Sequence, residues 1–166
     1  MSAAGPKVFA DQPDPRTLVA SETLYEGRIW NVVSDTFSLS GDAEDVLVRD
    51  YIAHPGAVAV VAMDDHGRIL LLKQYRQPVR MSLWEIPAGL LDVEGEDFVV
   101  AAARELAEEA DLAAGRWDVL VDFFNSPGSS SEAIRIYLAR NLTDVPEADL
   151  HTRTDEEAEI EHLWVD

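Results

Sequence analysis

Apolar and polar positions change their period several times along the chain, and those changes mark out its elements. From Ser21, "RIWNVVSDTFSL" and "DVLVRDYIA" read as strands on either side of "SGDAE", which predicts a hairpin connection. "AVAVVA" and "ILLL" follow, separated by Asp64-Asp65-His66-Gly67, and predict a second hairpin. Their runs are almost continuously apolar, as expected for strands covered on both faces. "LWEIPAGLLDVEGED" then brings a Pro-Ala-Gly break and a Gly-containing turn.

A longer period begins at Phe98. Val99, Ala103, Leu106 and Ala110 recur in steps of four, three and four, predicting a helix over 98–110 with one apolar stripe. Glu105, Glu108 and Glu109 lie off that stripe. "WDVLVDFF" and "AIRIYLARNL" predict strands around the loop "NSPGSSSE", and "IEHLWVD" predicts a last strand. Residues 143–161, with eight acidic side chains and one Arg, read as a solvated loop. Residues 1–20, which include Pro6, Pro13 and Pro15, read as a loose arm, and 21–166 as a single domain. The sum is a mixed, largely antiparallel sheet architecture with one central helix, of the α+β or α/β/α layered kind.

Composition narrows the function. Of the 166 residues, 32 are Asp or Glu and 13 Lys or Arg, a formal charge of −19. Nucleic-acid binding and attachment to anionic membranes both rest on Lys and Arg, so both are disfavoured. A phosphate ligand would be repelled at long range unless bound cations corrected the local field. High-salt adaptation or plain solubility also accounts for surface acidity. With 47% apolar residues the chain can build a core, and no apolar run is long enough to span a bilayer. The N-terminus has no secretory pattern, and the chain contains no cysteine. A cytoplasmic protein is expected.

The three glutamates then stand out. Glu105 to Glu109 is an i, i+4 step and Glu105 to Glu108 an i, i+3 step, which bring Cβ atoms to roughly 5–6 Å. Such carboxylates either decorate a solvated face or converge on a cation. Mg²⁺ takes oxygen ligands and keeps several waters, so a few carboxylates and a substrate phosphate suffice to hold it. Upstream lie the Pro-Ala-Gly break and a second acidic stretch, Asp92, Glu94, Glu96 and Asp97, and Arg104 adjoins Glu105. No Gly-x-x-x-x-Gly-Lys occurs, and the only lysines are Lys7 and Lys73, which excludes a P-loop.

"GLLDVEGEDFVVAAARELAEEADL" resembles the signature box of the Nudix hydrolases, in which Gly89, Glu96, Arg104, Glu105, Leu106, Glu108, Glu109 and Leu112 take the fixed places. Two departures stand out: six residues rather than five separate Gly89 from Glu96, and Asp111 occupies a Gly position. Asp tolerates the left-handed conformation that this Gly would adopt, so a somewhat weaker helix end with intact ligation is expected. "PGAVAVVAMDD", "KQYRQPVR", "LWEIPAGLLD" and "SPGSSSEAIRIYLA" extend the resemblance to the ADP-ribose pyrophosphatase branch, from about Ser21 onward.

That resemblance implies a Nudix-type α/β/α sandwich and Mg²⁺ (Mn²⁺ being the other option) held by Glu105 and Glu109, with Glu108 and the Ala88 carbonyl assisting. It implies that Arg104 orients the glutamates, that Glu132 is the catalytic base, and that Arg76 and Glu85 hold the diphosphate and ribose. It implies a homodimer in which the N-terminal strands, about 21–53, are exchanged and in which Trp30 and Arg49 sandwich adenine. Family members continue into a further helix after the "LWVD" strand, which this sequence does not contain. The implied reaction is hydrolysis of ADP-ribose to AMP and ribose 5-phosphate. The alternatives are another nucleoside diphosphate sugar, a dinucleotide, or a nucleotide-binding module without turnover. Each residue also has a plainer reading: Glu132 as a turn residue, Arg76 and Glu85 as a strand-end ion pair, Trp30 as core and Arg49 as a surface charge.

Overall fold

The computed structural model describes residues 10–42 and 44–166. Ten strands and one α-helix occur among them: β1 (Thr17–Glu26), β2 (Asn31–Ser38), β3 (Val46–Ala53), β4 (Ala57–Ala62), β5 (Ile69–Arg76), β6 (Met81–Glu85), β7 (Ala88–Leu90), α1 (Phe98–Ala110), β8 (Leu112–Phe124), β9 (Ala133–Asp144) and β10 (Glu161–Val165). Two 3₁₀ turns, Glu147–Asp149 and Asp155–Glu159, lie between β9 and β10. The strands form three sheets, ordered β1-β2-β3, β10-β5-β6 and β7-β4-β9-β8. All ladders are antiparallel except β4–β9. This is the expected α+β class.

The core lies where α1 meets the four-stranded sheet and β5. Val58, Val60 and Ala62 of β4, Leu70 and Leu72 of β5, Ala101, Ala102, Leu106 and Ala110 of α1, and Tyr137 and Ala139 of β9 are packed together there. Burying a Val or Leu side chain in such a cluster stabilises by about 1.5–3 kcal/mol. Three helical alanines let α1 come close to the sheet, so its glutamates sit near β7 rather than at arm's length.

Several expectations are corrected. The β1–β2–β3 meander includes the predicted hairpin around "SGDAE", of which Ala43 lies outside the described residues. The second hairpin does not form. β4 pairs with β7 and β9, β5 pairs with β6 and β10, and only an isolated Met63–Ile69 bridge joins the two at the turn. Two apolar runs joined by a turn can pair with each other or diverge into separate layers, and burial of both around α1 favours divergence here. β4 is buried along nearly its whole length, whereas β5 buries alternate residues only.

The helix spans the predicted residues, and Leu106 and Ala110 of the predicted stripe are buried, but its first turns are rotated so that Ala101 and Ala102 face inward in place of Val99 and Ala103. Val99 is 36% exposed while Ala101, Ala102, Leu106, Glu109 and Ala110 are buried. Two short strands are additional to those expected: β6 ends just before the Pro-Ala-Gly break, and β7 begins within it. β1 begins at Thr17, inside the expected 1–20 arm; residues 1–9 of that arm, with Pro6, lie outside the described residues.

Candidate active site

The inward turn of α1 decides the chemistry of its carboxylates. Glu109 is 6% exposed, a burial rare for an ionisable side chain unless it is paired. Its Oε2 accepts the Ala88 backbone N–H at 2.9 Å. Burial raises its pKa to about 7, and the negative charges of Glu105 and Glu157 add to the rise against the pull of the Ala88 N–H. Glu105 is raised as well, mainly by burial, with Arg104 opposing and Glu108 adding. Gly89, in β7, lies directly against Glu105. A Cβ built on Gly89 would collide with the Glu105 carboxylate, so this position needs Gly for space rather than for φ.

Arg104 collects the surrounding acids. It donates to Glu105 at 2.5 Å and Glu108 at 3.4 Å through Nη1, and to Glu96 through Nε at 3.3 Å and Nη2 at 3.1 Å. The hydrogen bonds to Glu96 and the charge of Glu105 raise its pKa. Arg104 therefore links Glu96, in the loop before the helix, to Glu105 and Glu108.

Glu105, Glu108 and Glu109 line a cleft of about 440 Å³ with Gln74, Arg76, Ala88–Leu90, Asp92, Thr154 and Glu157. A second cleft, of about 590 Å³, abuts it and shares Arg76 and Ala88–Leu90 as a common wall. This one is lined mainly by apolar groups, with Trp30, Ile52, Val58, Leu90 and Ile134 around Glu85, Glu132, Asn125 and His54. Strand alternation puts Leu72, Gln74 and Arg76 on one face of β5. Arg76 forks onto Glu85, with Nη2–Oε2 at 2.6 Å and Nε–Oε1 at 3.1 Å. The pair stands at the junction of the two clefts.

Glu132 belongs to the apolar cleft. Asn125 Nδ2 donates to its Oε2 at 2.8 Å, and His54 Nε2 faces its Oε1 at 3.8 Å. The loop that carries it is held by β3: Ile52 N–H donates to Ser129 O at 2.9 Å and Ser131 N–H to Ile52 O at 3.0 Å. Trp30 stacks on His54, with ring centroids 5.6 Å apart. Arg49 lines neither cleft; its Nη1 donates to the neighbouring Val48 carbonyl on exposed β3.

Two site residues escape a reading of the sequence. His54, whose side chain is 8% exposed, accepts the Gly56 N–H on Nδ1 at 3.1 Å, which leaves its proton on Nε2 toward Glu132. Glu157 comes from the stretch read as a solvated acidic loop, yet it lines the carboxylate cleft. A lone His before a Pro-Gly turn and one acid among eight carry no periodic signal, so only tertiary contact singles them out.

Oxygen donors, a deeply buried carboxylate that is hard to ionise, and the close approach of the Glu105 carboxylate to β7 that Gly89 allows fit a hard divalent cation. Glu105, Glu108, Glu109 and the Ala88 carbonyl are the groups that would hold it. Among the described residues no three acidic or imidazole groups stand at closed metal-binding geometry. Arg104 is their counter-charge in this state.

Known proteins resemble this chain in sequence and in fold. The family model described as NUDIX domain matches residues 53–166. The chain is 44% identical over 146 residues, 88% of its length and 68% of the relative's, to an ADP-ribose pyrophosphatase of Mycobacterium tuberculosis. It is 36% identical over 130 residues, 78% of its length and 68% of the relative's, to an ADP-ribose pyrophosphatase of Bacillus subtilis. A crystal structure of an "ADP compounds hydrolase" has the same fold, with a TM-score of 0.72 at 23% identity over 93% of this chain and 80% of that one. The chain belongs to the Nudix family, as a diphosphate hydrolase.

Proposed function

We propose that this protein hydrolyses the diphosphate of ADP-ribose to AMP and ribose 5-phosphate with the help of Mg²⁺, or Mn²⁺ in its place. The observation that carries the reading is the pair of abutting clefts. One is acidic, suited to cations that neutralise a diphosphate; the other is largely apolar with a few polar groups, suited to a nucleoside or sugar. Arg76 lines both, and a guanidinium fork is matched to phosphate oxygens. The names of the two curated relatives support ADP-ribose over other nucleoside diphosphate sugars.

A bound divalent cation would supply Lewis-acid stabilisation of the phosphoryl charge and a more acidic water. The chain's own residues do the rest. Arg104 orients Glu105 and Glu108 while Ala88 fixes Glu109. Arg76 swings from Glu85 toward phosphate, leaving Glu85 to accept a ribose hydroxyl. Trp30 offers a face for ring stacking, with Arg49 as the second face if a partner subunit brings it there. Two carboxylates compete for the role of base. Glu157 shares the cleft with Glu105 and Glu109, whereas Glu132 is tied to Asn125 across the common wall. The geometry favours Glu157 for proton removal and Glu132 for contact with substrate hydroxyls.

We further infer a homodimer built through the sheet β1–β3, where Leu18, Val19, Tyr25 and Val48 are exposed. A cytoplasmic location fits the lack of cysteine. No helix among the described residues is long and apolar enough to cross a membrane.

The test is a screen of ADP-ribose, other nucleoside diphosphate sugars, NADH and diadenosine compounds with Mg²⁺, following product nucleotides. ADP-ribose should give the highest kcat/KM. In Glu157→Gln kcat should fall with KM nearly unchanged, and in Glu132→Gln KM should rise. The reverse pattern returns the base to Glu132; no turnover of any compound defeats the enzymatic reading.

A further inference from the structure

The C-terminal end of α1 is held by residues that come from far along the chain. The last turn of the helix has no basic residue of its own, although its unpaired carbonyls favour cations there. Arg153 supplies one: its Nε donates to the Glu108 carbonyl at 2.8 Å, and its Nη2 lies 2.7 Å from Asp111 Oδ2. His162 of β10 donates through Nε2 to the Glu109 carbonyl at 2.8 Å. Asp111 itself sits at φ 57°, ψ 28°, the left-handed cap, with its N–H on Leu106 and Ala107 carbonyls. The position that is Gly in the resembling box therefore does two jobs here. It caps the helix, and its carboxylate grips an arginine, which a Gly could not.

Arg153 stands one residue before Thr154 and four before Glu157, both of which line the carboxylate cleft. The backbone hydrogen bonds described between 146 and 160 are short local turns, such as Asp149 to Pro146, Glu157 to Thr154 and Ile160 to Glu157. Arg153 is thus a side-chain tether between this segment and the helix turn that carries Glu108 and Glu109. Its guanidinium is largely shielded from solvent: Nε makes the hydrogen bond to the Glu108 carbonyl, and Nη2 is held to Asp111 by charge, without a hydrogen bond of its own.

We propose that Arg153 is a positioning residue. Clamped on the Glu108 carbonyl and on Asp111, it sets the register of the 154–157 segment against the glutamate helix and so delivers Glu157 to the cleft. This rests on the reading of the cleft as the hydrolytic site, and the test separates the two.

The variants are Arg153→Ala, Arg153→Lys and Asp111→Gly. Hydrogen exchange of the metal-free protein reads the tether without any turnover. In Arg153→Ala the amides of 150–160 should exchange at least about tenfold faster, with β4 and β9 unchanged. Mn²⁺ affinity, from the electron paramagnetic resonance of free Mn²⁺, should fall several-fold. On ADP-ribose, kcat should drop about 10- to 100-fold, the range for residues that orient a metal site from behind, while KM stays within about threefold. Arg153→Lys should recover part of each loss, since one ammonium can serve one of the two acceptors. Asp111→Gly keeps the left-handed cap and should lose less than Arg153→Ala, and the double variant should lose no more than Arg153→Ala alone. If Arg153→Ala does not fold, the Asp111→Gly exchange and kcat decide the matter.

Unchanged exchange at 150–160 overturns the proposal. So does faster exchange with unaltered kcat, because the segment would then be tethered for no catalytic purpose. A wild type that leaves ADP-ribose intact while the exchange and Mn²⁺ differences hold defeats the substrate reading and leaves the clamp standing.

Discussion

The two clefts share the Ala88–Leu90 wall and Arg76, yet opposite physics governs them. In the carboxylate cleft, burial raises the pKa of Glu105 and brings that of Glu109 to about 7. Its geometry is held by hydrogen bonds to one arginine and one backbone N–H. In the other, Trp30, Ile52, Val58 and Ile134 supply apolar surface, and the polar groups are paired or neutral: Arg76 with Glu85, Asn125 and His54 beside Glu132, and the hydroxyls of Ser126, Ser129 and Ser130. The first is a destabilised arrangement that gains when positive charge arrives. The second is already satisfied and gains only what a ligand's shape and hydroxyls bring. A site divided this way keeps bond breaking apart from substrate choice, so changes to one cleft should leave the other's parameter nearly untouched.

The sharpest way to break that division is Glu109→Gln. It removes a negative charge from the cation site while keeping the Ala88 hydrogen bond, so kcat should fall by three or more orders of magnitude. Mg²⁺ should raise the Tm of the wild type and leave that of Glu109→Gln unchanged. Steady-state kinetics and thermal melts with and without metal check both.

Gly89→Ala comes next. Its Cβ must displace the Glu105 carboxylate, which should cost about 10- to 100-fold in activity or metal affinity. The shared wall is also the floor of the apolar cleft, so this variant tests whether the two parameters stay separate. KM for ADP-ribose should move less than kcat.

Metal-free stability gives a pH signature confined to the carboxylate cleft. Glu109 titrates near 7 in the folded chain and near its ordinary 4.5 when unfolded. Folding therefore binds this proton more tightly, and its stabilisation is complete below about pH 4.5 and lost as pH rises through about 7. The loss is at most about 3 kcal/mol. Denaturant midpoints from pH 5 to 8 should fall in wild type, and Glu109→Gln should flatten the slope. Saturating Mg²⁺ should flatten it as well.

Trp30→Ala is the mildest. Stacking of a base on an aromatic ring is worth about 1–3 kcal/mol, so KM should rise about tenfold with kcat retained. A fall in kcat without a change in KM would place Trp30 outside substrate contact.

Much of this was legible in the chain because its signals are local. The span 98–110, the strands around the "NSPGSSSE" loop and the tolerance of Asp111 for a left-handed cap all follow from period or from single-residue conformational preference. So does the grouping of Glu105, Glu108 and Glu109, since three- and four-residue steps bring side chains together on any helix. What failed was non-local. The hydrophobic stripe Val99, Ala103, Leu106, Ala110 holds at its C-terminal half, where Leu106 and Ala110 are buried, but at the other end the sheet takes Ala101 and Ala102, and Glu109 goes in with them. Small residues permit close approach, and a buried carboxylate is a cost that the periodic pattern does not foresee.

Local signals in the chain were enough for the helix, most of the longer strands and the chemical types at the site: three acids on one helix, an adjoining arginine, a glycine before them, and acidic and serine-rich loops farther on. The tertiary structure alone decided that β4 and β5 part company, that Gly89 makes room for Glu105, and that Arg153 and Glu157 reach the helix from more than forty residues away. The reason is range. Conformational preference and side-chain period act over a turn or two of chain, while burial, electrostatic coupling and cleft shape depend on which distant surfaces close on one another.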